Sequence, residues 1–389
     1  MGRPLRIGLY SPYFGSTMGG GEKYLGVAAE SLRDAFPEHS VDLVSPRPAD
    51  RARYEQTLNL DLTGIGLVAT NPRVTPLHRL AARARPLRGL RNRVVAGQAQ
   101  RWTRAYDLLL AMAYVIPVSS GARLSVVLCQ FPYELRTEAE RRGLRDFESV
   151  ICQSDYVRRW TQQRWGRPAA VVNPPIDVPA AEPDLEAKRR SILSVGRFVA
   201  GGHNKRHDLL VRAFAELCEA GLTGWELHLA GSVHRDAASL DHLRRVRELA
   251  RGHPVHLHED RPFPELERLY REASIYWHAA GYGVDEAAHP EALEHFGMAT
   301  AEAMAHGAAP VVIARGGQLE VVADGVDGLT WREPADLKRL TRELIDDPAR
   351  RRRLAAAART ASARWARPAF RSHLLSLLTP LVRRLEASA

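Results

Sequence analysis

The feature that most constrains this chain is an alternation, played through twice, of short apolar runs with longer segments of helical periodicity. Such alternation builds parallel sheets, because a parallel neighbour needs a connection long enough to hold a crossover helix. In the first half the apolar runs predict strands at Arg6–Tyr10, Val41–Ser45, Asp107–Ala111, Ser125–Gln130, Ser149–Gln153 and Ala170–Asn173. A helix is expected from near Gly21 to about Ala35. In the second half the pattern restarts, with strands at Ser191–Gly196, Glu226–Ala230, Val255–Leu257, Ile275–His278, Pro310–Ala314 and Gly328–Trp331. Helices fall at about Asp208–Glu219, Ala237–Arg251, Pro264–Glu272, Met298–His306, Leu319–Ala323, Ala335–Asp346 and Pro348–Ala363.

Between the halves stands Asn173-Pro174-Pro175-Ile176-Asp177. Paired prolines exclude helix and remove ladder donors, so this is a hinge. The predicted division is therefore 1–175 and 176–367, each a Rossmann-like α/β domain, with a last helix over 368–389. A chain of 389 residues is long enough for two such cores.

The formal charge of +10 favours anionic partners without choosing among them. Its main source is the stretch from Leu62 to Tyr106, which has no acidic residue and nine arginines, from Arg73 to Arg104. Leucines and valines are interleaved among them, and a basic amphipathic segment over 73–104 suits an anionic membrane surface. No nucleic-acid motif accompanies the charge, so nucleic acid is not expected as a partner. Leu108–Val118, interrupted by Pro117, is too short to cross a bilayer, which takes roughly 20 residues. Arg6 breaks the apolar stretch after Met1, so that segment reads as a first strand and not a leader. Cys129, Cys152 and Cys218 are widely spaced and read as reduced thiols. A cytoplasmic protein, peripheral at the inner face of the membrane, is the expectation.

The chemistry concentrates in the second half. Glu294 precedes a helix start marked by Gly297, and Glu302 lies on that helix. Free amides at a helix N-terminus favour an anion, and a carboxylate can accept from two neighbouring hydroxyls of a sugar. Upstream, Ser194-Val195-Gly196-Arg197 ends a strand, and Lys205 precedes the next helix. Ligands collect at such carboxyl ends in open α/β sheets, and two fixed cations can neutralise a diphosphate without a metal. Downstream, Gly316-Gly317-Gln318-Leu319-Glu320 and Asp324-Gly325-Val326-Asp327-Gly328 make two glycine turns. Either half of this set, taken alone, is as well explained by surface charges flanking a core helix.

Taken in order, residues from about Ser191 to Trp331 resemble the donor-binding half of the retaining glycosyltransferases of family four. The resemblance implies the GT-B fold: two Rossmann-like domains with parallel sheets facing across a cleft, the C-terminal helix returning to the N-terminal domain. It implies that Arg197 and Lys205 hold a donor diphosphate and that Glu294 contacts the donor sugar. Backbone near His295, Phe296, Gly297 and Met298 would assist, and Glu302 would bind the ribose. Trp277–Gly283, with Asp285, Glu286 and His289, looks like a long form of the loop before this motif; its histidines are read as structural. In the first half, Gly19-Gly20-Gly21 looks like the family's glycine loop near the donor phosphate. It is not the dinucleotide fingerprint, since Tyr24 stands where the last glycine is needed. On the acceptor side, Gln130, with Tyr133 nearby, stands about where many relatives carry a histidine. Gln130 cannot carry a proton, so a mechanism through that histidine is not available here.

The expected function is thus metal-independent, retaining transfer of a hexose, mannose among the candidates. The substrate would be a GDP- or UDP-linked nucleotide sugar, with no cofactor and no metal. The acceptor would be a glycan, a lipid-linked glycan or a small molecule. A sugar-nucleotide epimerase on the same fold and a non-catalytic basic binding protein are the alternatives.

Overall fold

A computed structural model describes residues 3–70, 99–113 and 119–388. Within them the chain forms two compact units, 1–175 with 370–389, and 176–369. Most of the arginine-rich stretch, 71–98, lies outside the described residues; Arg101 is exposed in a short helical segment.

The first unit is a parallel sheet of order β3-β2-β1-β4-β5-β6-β7. Its strands are β1 Arg6–Tyr10, β2 Ser40–Ser45, β3 Gly66–Ala69, β4 Leu108–Ala113, β5 Leu124–Cys129, β6 Ser149–Cys152 and β7 Ala170–Val171. Helix α1, Gly20–Ala35, follows β1; α2 is Arg51–Leu58, α3 Glu138–Arg145 and α4 Asp155–Trp165. Strand β3 and helices α2 to α4 do not follow from the apolar pattern. β3 is too short to show one, and the helices α2 to α4 are polar with few apolar repeats. Their starts are nonetheless written locally: Asp50, Thr137 and Ser154 each accept a backbone N–H from the first turn.

The second unit is a parallel sheet of order β10-β9-β8-β11-β12-β13. These strands are β8 Arg189–Val195, β9 Glu226–Gly231, β10 Val255–Glu259, β11 Ala273–His278, β12 Ala309–Ile313 and β13 Leu329–Trp331. The helices are α5 His207–Glu219, α6 Ala237–Leu249, α7 Phe263–Glu272, α8 Met298–Ala305, α9 Gln318–Val321, α10 Pro334–Asp346 and α11 Pro348–Ser362. The sheet separates two cores. One face packs Leu227, Leu229, Ile275 and Trp277 under α5, α6 and α10. The other packs Leu193, Tyr276 and Val312 under α7, α8 and Trp365.

The last helix, α12, spans Arg367–Ala387. Phe370, Leu374, Leu378, Val382 and Leu385 recur at helical spacing and are buried in the first unit's core. Phe370 meets Tyr24 of α1 edge-on at 4.9 Å, and Arg371 pairs with Asp34 at 2.9 Å. The second unit closes just before this helix, where Ile176 N–H donates to the Trp365 carbonyl at 2.9 Å.

Candidate functional site

In a sheet that reverses its strand order at β8, the loops after β8 and β11 leave from the same end and side by side. The first carries Arg197 and Lys205; the second carries Glu294 and leads into α8. Gly196 is required here by space, since a Cβ on it would fall 2.4 Å from Lys205 Cγ. Gly231, at the end of β9, is tighter still: a Cβ would sit 2.0 Å from the Gly196 carbonyl oxygen.

The two loops meet at Glu294. Its Oε2 accepts from the Lys205 ammonium and, at 3.1 Å, from His278 Nε2. A carboxylate can only accept, so His278 carries its proton on Nε2, which leaves Nδ1 buried without a partner among the described residues. Burial pushes the Glu294 carboxyl up, but the Lys205 charge and the His278 hydrogen bond outweigh it and hold it well below the usual carboxylate range. Burial lowers His278 in turn, against the pull of Glu294, and keeps it neutral. The pair is therefore charged, mostly enclosed, and supplied with one further neutral donor.

Neighbouring histidines complete the wall. The His203 ring stands edge-on to His295 at 4.2 Å, and His295 Nε2 lies 3.1 Å from the Glu291 carbonyl. Burial, then the Lys205 charge, lowers His203 to about 4, so this ring is neutral too. His203 and Arg206 both adopt positive φ, at 63° and 54°, to turn the loop that delivers Lys205. Arg206 holds the opposite loop by donating to the Tyr282 carbonyl at 2.7 Å.

The loop carrying Glu294 is clamped from below by the glycine pair after β12. Gly317 N–H donates to the Glu294 carbonyl at 2.8 Å. A Cβ on Gly317 would fall 2.5 Å from the His295 carbonyl oxygen. Gly297 has φ of +117° and faces the Gln318 amide, where a Cβ would come within 2.6 Å. Gly297 offers α8 no side-chain cap, so the first amides of the helix remain available to a ligand.

The structure thus brings together Lys205, Glu294 and His295, with Phe296 buried beneath and Met298 opening the helix. Arg197 is exposed at the end of β8. Glu302, half-buried on α8, accepts from the Tyr270 hydroxyl at 3.1 Å. His203 joins the site without having been singled out by the sequence motifs, and His278, read from the sequence as a structural histidine of the loop before the motif, instead donates to Glu294 within it. The one signal for His278 is its place as the last residue of an otherwise apolar strand. In the first unit, the glycine loop is shorter than expected. Gly19 is extended, while Gly20 and Gly21 already form the first turn of α1. Gln130 follows β5, its carbonyl accepting from the Gln153 amide at 3.0 Å, and the Tyr133 carbonyl accepts from the Trp165 indole at 2.9 Å.

Comparison with known proteins supplies the context. Residues 180–361 match the family model described as Glycosyl transferases group 1. D-inositol 3-phosphate glycosyltransferase 1 of Catenulispora acidiphila is 32% identical over 153 residues, 38% of this chain. That match spans 34% of the relative's length. Sucrose-phosphate synthase of Thermosynechococcus elongatus superposes with a TM-score of 0.71 at 18% identity, covering 99% of this chain and 100% of that one. Anabaena HepE, in complex with UDP and glucose, gives 0.67 at 18% identity over 97% and 100%. A glycosyltransferase from Rickettsia africae gives 0.69 at 14% identity over 97% and 99%. At these identities the superpositions establish the fold. The C-terminal unit thus matches the glycosyl transferases of group 1, and the chain has the GT-B fold.

Proposed function

We propose that this chain transfers a hexose from a nucleotide diphosphate sugar, with retention of anomeric configuration and without a metal ion. The observation that carries the reading is the Lys205–Glu294–His278 cluster set beside the uncapped start of α8. A diphosphate offers Lys205 a second anionic partner, joined by Arg197 and the α8 amides. That releases Glu294 to accept from donor-sugar hydroxyls, while His278 goes on donating to its Oε2 and keeps the carboxylate oriented. Glu302 binds the ribose. A UDP-linked hexose is supported by HepE, whose structure holds UDP and glucose; the glycine segment Gly19–Gly21 together with Glu294–Gly297 favours GDP-mannose.

In the step itself the bond from the anomeric carbon to the diphosphate oxygen breaks, and a bond to the acceptor oxygen forms on the same face. The acceptor proton passes to the departing phosphate, since Gln130 cannot take it. Arg197 and Lys205 neutralise the charge that develops on the diphosphate. The acceptor is a glycan, free or lipid-linked, or a small hydroxylated molecule. Among the described residues no helix is long and apolar enough to cross a membrane. The basic stretch 73–104 would bring the protein to an anionic cytoplasmic membrane surface.

The test is a thermal-shift panel of UDP, GDP, ADP and dTDP, each with magnesium and with EDTA. One nucleotide should raise the melting temperature alike in both. In Glu302→Ala its affinity should fall by about 1.5–3 kcal/mol, the value of a hydrogen bond to a charged group. No shift with any nucleotide removes the donor site, and a shift that needs the metal removes the metal-free mechanism.

A further inference from the structure

Away from the Glu294 cluster, the outer edge of the second sheet carries a set of side chains that glycosyl transfer does not use. In β9 and β10 the alternation is Glu226-Leu-His228 and His256-Leu-His258. Leu227, Leu229, Val255 and Leu257 point into one core, so the polar members all stand on the other face. The register sets His256 beside His228, with Glu226 two residues before His228 on the same face. β10 is the edge strand, and along this strip imidazoles replace the apolar side chains that the inner strands present on the same face.

The contacts are those of a ligand set. His228 Nε2 lies 3.2 Å from Glu226 Oε2, and His256 Nε2 lies 3.9 Å from Glu226 Oε1. One ligand atom from each of Glu226, His228 and His256 falls within 4.8 Å of the others. The second nitrogen of His228, Nδ1, is 2.9 Å from His258 Nε2. The His228 ring lies nearly parallel to His256 at 4.9 Å and nearly coplanar with His258 at 5.2 Å, joined to it edge to edge by that contact. Partial burial of His228 with exposure of Glu226 and His256 leaves the set anchored on one side and open to water on the other.

We infer that Glu226, His228 and His256 form a site for a divalent transition cation, with His258 orienting His228 from behind. Two imidazoles and a carboxylate suit zinc, and copper or nickel by the same ligand chemistry. Bonds of about 2.0–2.2 Å in a tetrahedral shell set ligand atoms roughly 3.3–3.6 Å apart, so atoms that stand within 4.8 Å of one another draw together on binding. On binding, the Nε2 proton that His228 directs at Glu226 passes to water, while His228 Nδ1 takes the proton of His258 Nε2 and His258 Nδ1 takes one from water, so both rings stay neutral. His228 then donates through Nδ1 to His258 Nε2, the arrangement by which a metal-bound imidazole is held in one tautomer. The cation ties the edge strand to its neighbour near the amino ends of β9 and β10, whereas Arg197 and Lys205 follow the carboxyl end of β8. A carboxylate–histidine group also occurs at Glu38, His39 and Glu386 in the first unit, so the test must separate the two.

The full-length, untagged protein, stripped with EDTA, is titrated with zinc chloride against a chromophoric chelator at pH 7.5. Uptake of zinc at the proposed site should weaken at least tenfold in His256→Gln, an exposed position whose melting temperature in EDTA should not change. His258→Gln should weaken it by roughly 10–100-fold, the effect of losing an orienting partner. His39→Gln should leave it as in the wild type. Cobalt in place of zinc should give visible absorption of a four-coordinate ion that His256→Gln alters. No uptake, uptake unchanged in His256→Gln, or uptake lost in His39→Gln overturns the assignment.

Discussion

At the scale of single residues the site stores a charged pair in a mostly enclosed place. Lys205 and Glu294 each expose only 16% of their side chains. Breaking one half of such a pair strands the other charge, which costs about 3–5 kcal/mol. Lys205→Met should therefore destabilise the second unit on that scale in urea. Adding Glu294→Gln should restore a large part of the loss, because the stranded carboxylate is then neutral. Simple additivity of the two changes would show that the pair does not act as a pair. His207 presents the opposite problem. Both of its ring nitrogens are buried without a partner among the described residues, and its ring lies 4.4 Å from Phe198. Burial, then the nearby His242 and Lys205, lowers it to about 3, as burial and Lys205 lower His203 to about 4. The unfolded chain takes up these protons near pH 6.5, the folded one only near 4 and 3. Between those limits the unfolded state binds more protons, so stability is fully present above about pH 6.5 and falls as the pH drops toward 3. His207→Phe should flatten that slope between about pH 4 and 6.5 and stabilise by about 1–3 kcal/mol, the cost of an unpaired buried polar group. Melting curves across about pH 4 to 8 read both, and an unchanged slope would place the proton uptake elsewhere.

At the scale of elements, the glycines decide where the ligand-end loops can run. Gly317 supports the backbone of Glu294 and His295 with no room for a methyl group. Gly317→Ala should lift that loop, with a loss of nucleotide affinity of at least about tenfold and a destabilisation of about 1–3 kcal/mol from overpacking. On the neighbouring loop, a Cβ added at Gly201 would meet none of the described residues within 4 Å, and Gly201 has no positive φ. Gly201→Ala should be neutral or stabilising by about 0.4–1 kcal/mol, through the unfolded chain alone. Equal affinities in the two variants would mean the clamp is not what positions Glu294. Local signals account well for the longer elements: α5, α8, α10 and α11 begin and end within a residue or so of where periodicity puts them. They fail for β3 and for the polar helix α3, whose identity rests on a neighbour strand and a capping box more than on its own apolar pattern.

At the scale of the molecule, the chain is two units, the first of which has its core completed by the last helix. Leu378 of α12 is fully buried in the first core. Leu378→Ala should cost about 2–5 kcal/mol, the range for a leucine cavity. Because the second unit has cores of its own, the loss should appear in amide exchange of β1 and α1 and spare β8 and β9. Equal loss of protection in both units would show that they unfold as one. A single unfolding free energy is then the right description only in that second case.

The sequence by itself determined the class of fold, the double run of parallel strands, the stripe from Phe370 to Leu385, and the ordered motif around Lys205, Glu294 and Gly316-Gly317. Each of these is a local pattern: period two or 3.6, proline breaks, glycine turns. Only the tertiary structure decided which side chains meet. Lys205 and Glu294 are 89 positions apart, and His228 and His258 are 30 apart, joined in each case because parallel neighbours bring distant loops and strands side by side. Nothing in a single histidine's flanking residues distinguishes His278, aimed at a carboxylate, from His207, sealed against a phenylalanine. That difference is one of burial and hydrogen-bond reach, and both are properties of the packed sheet.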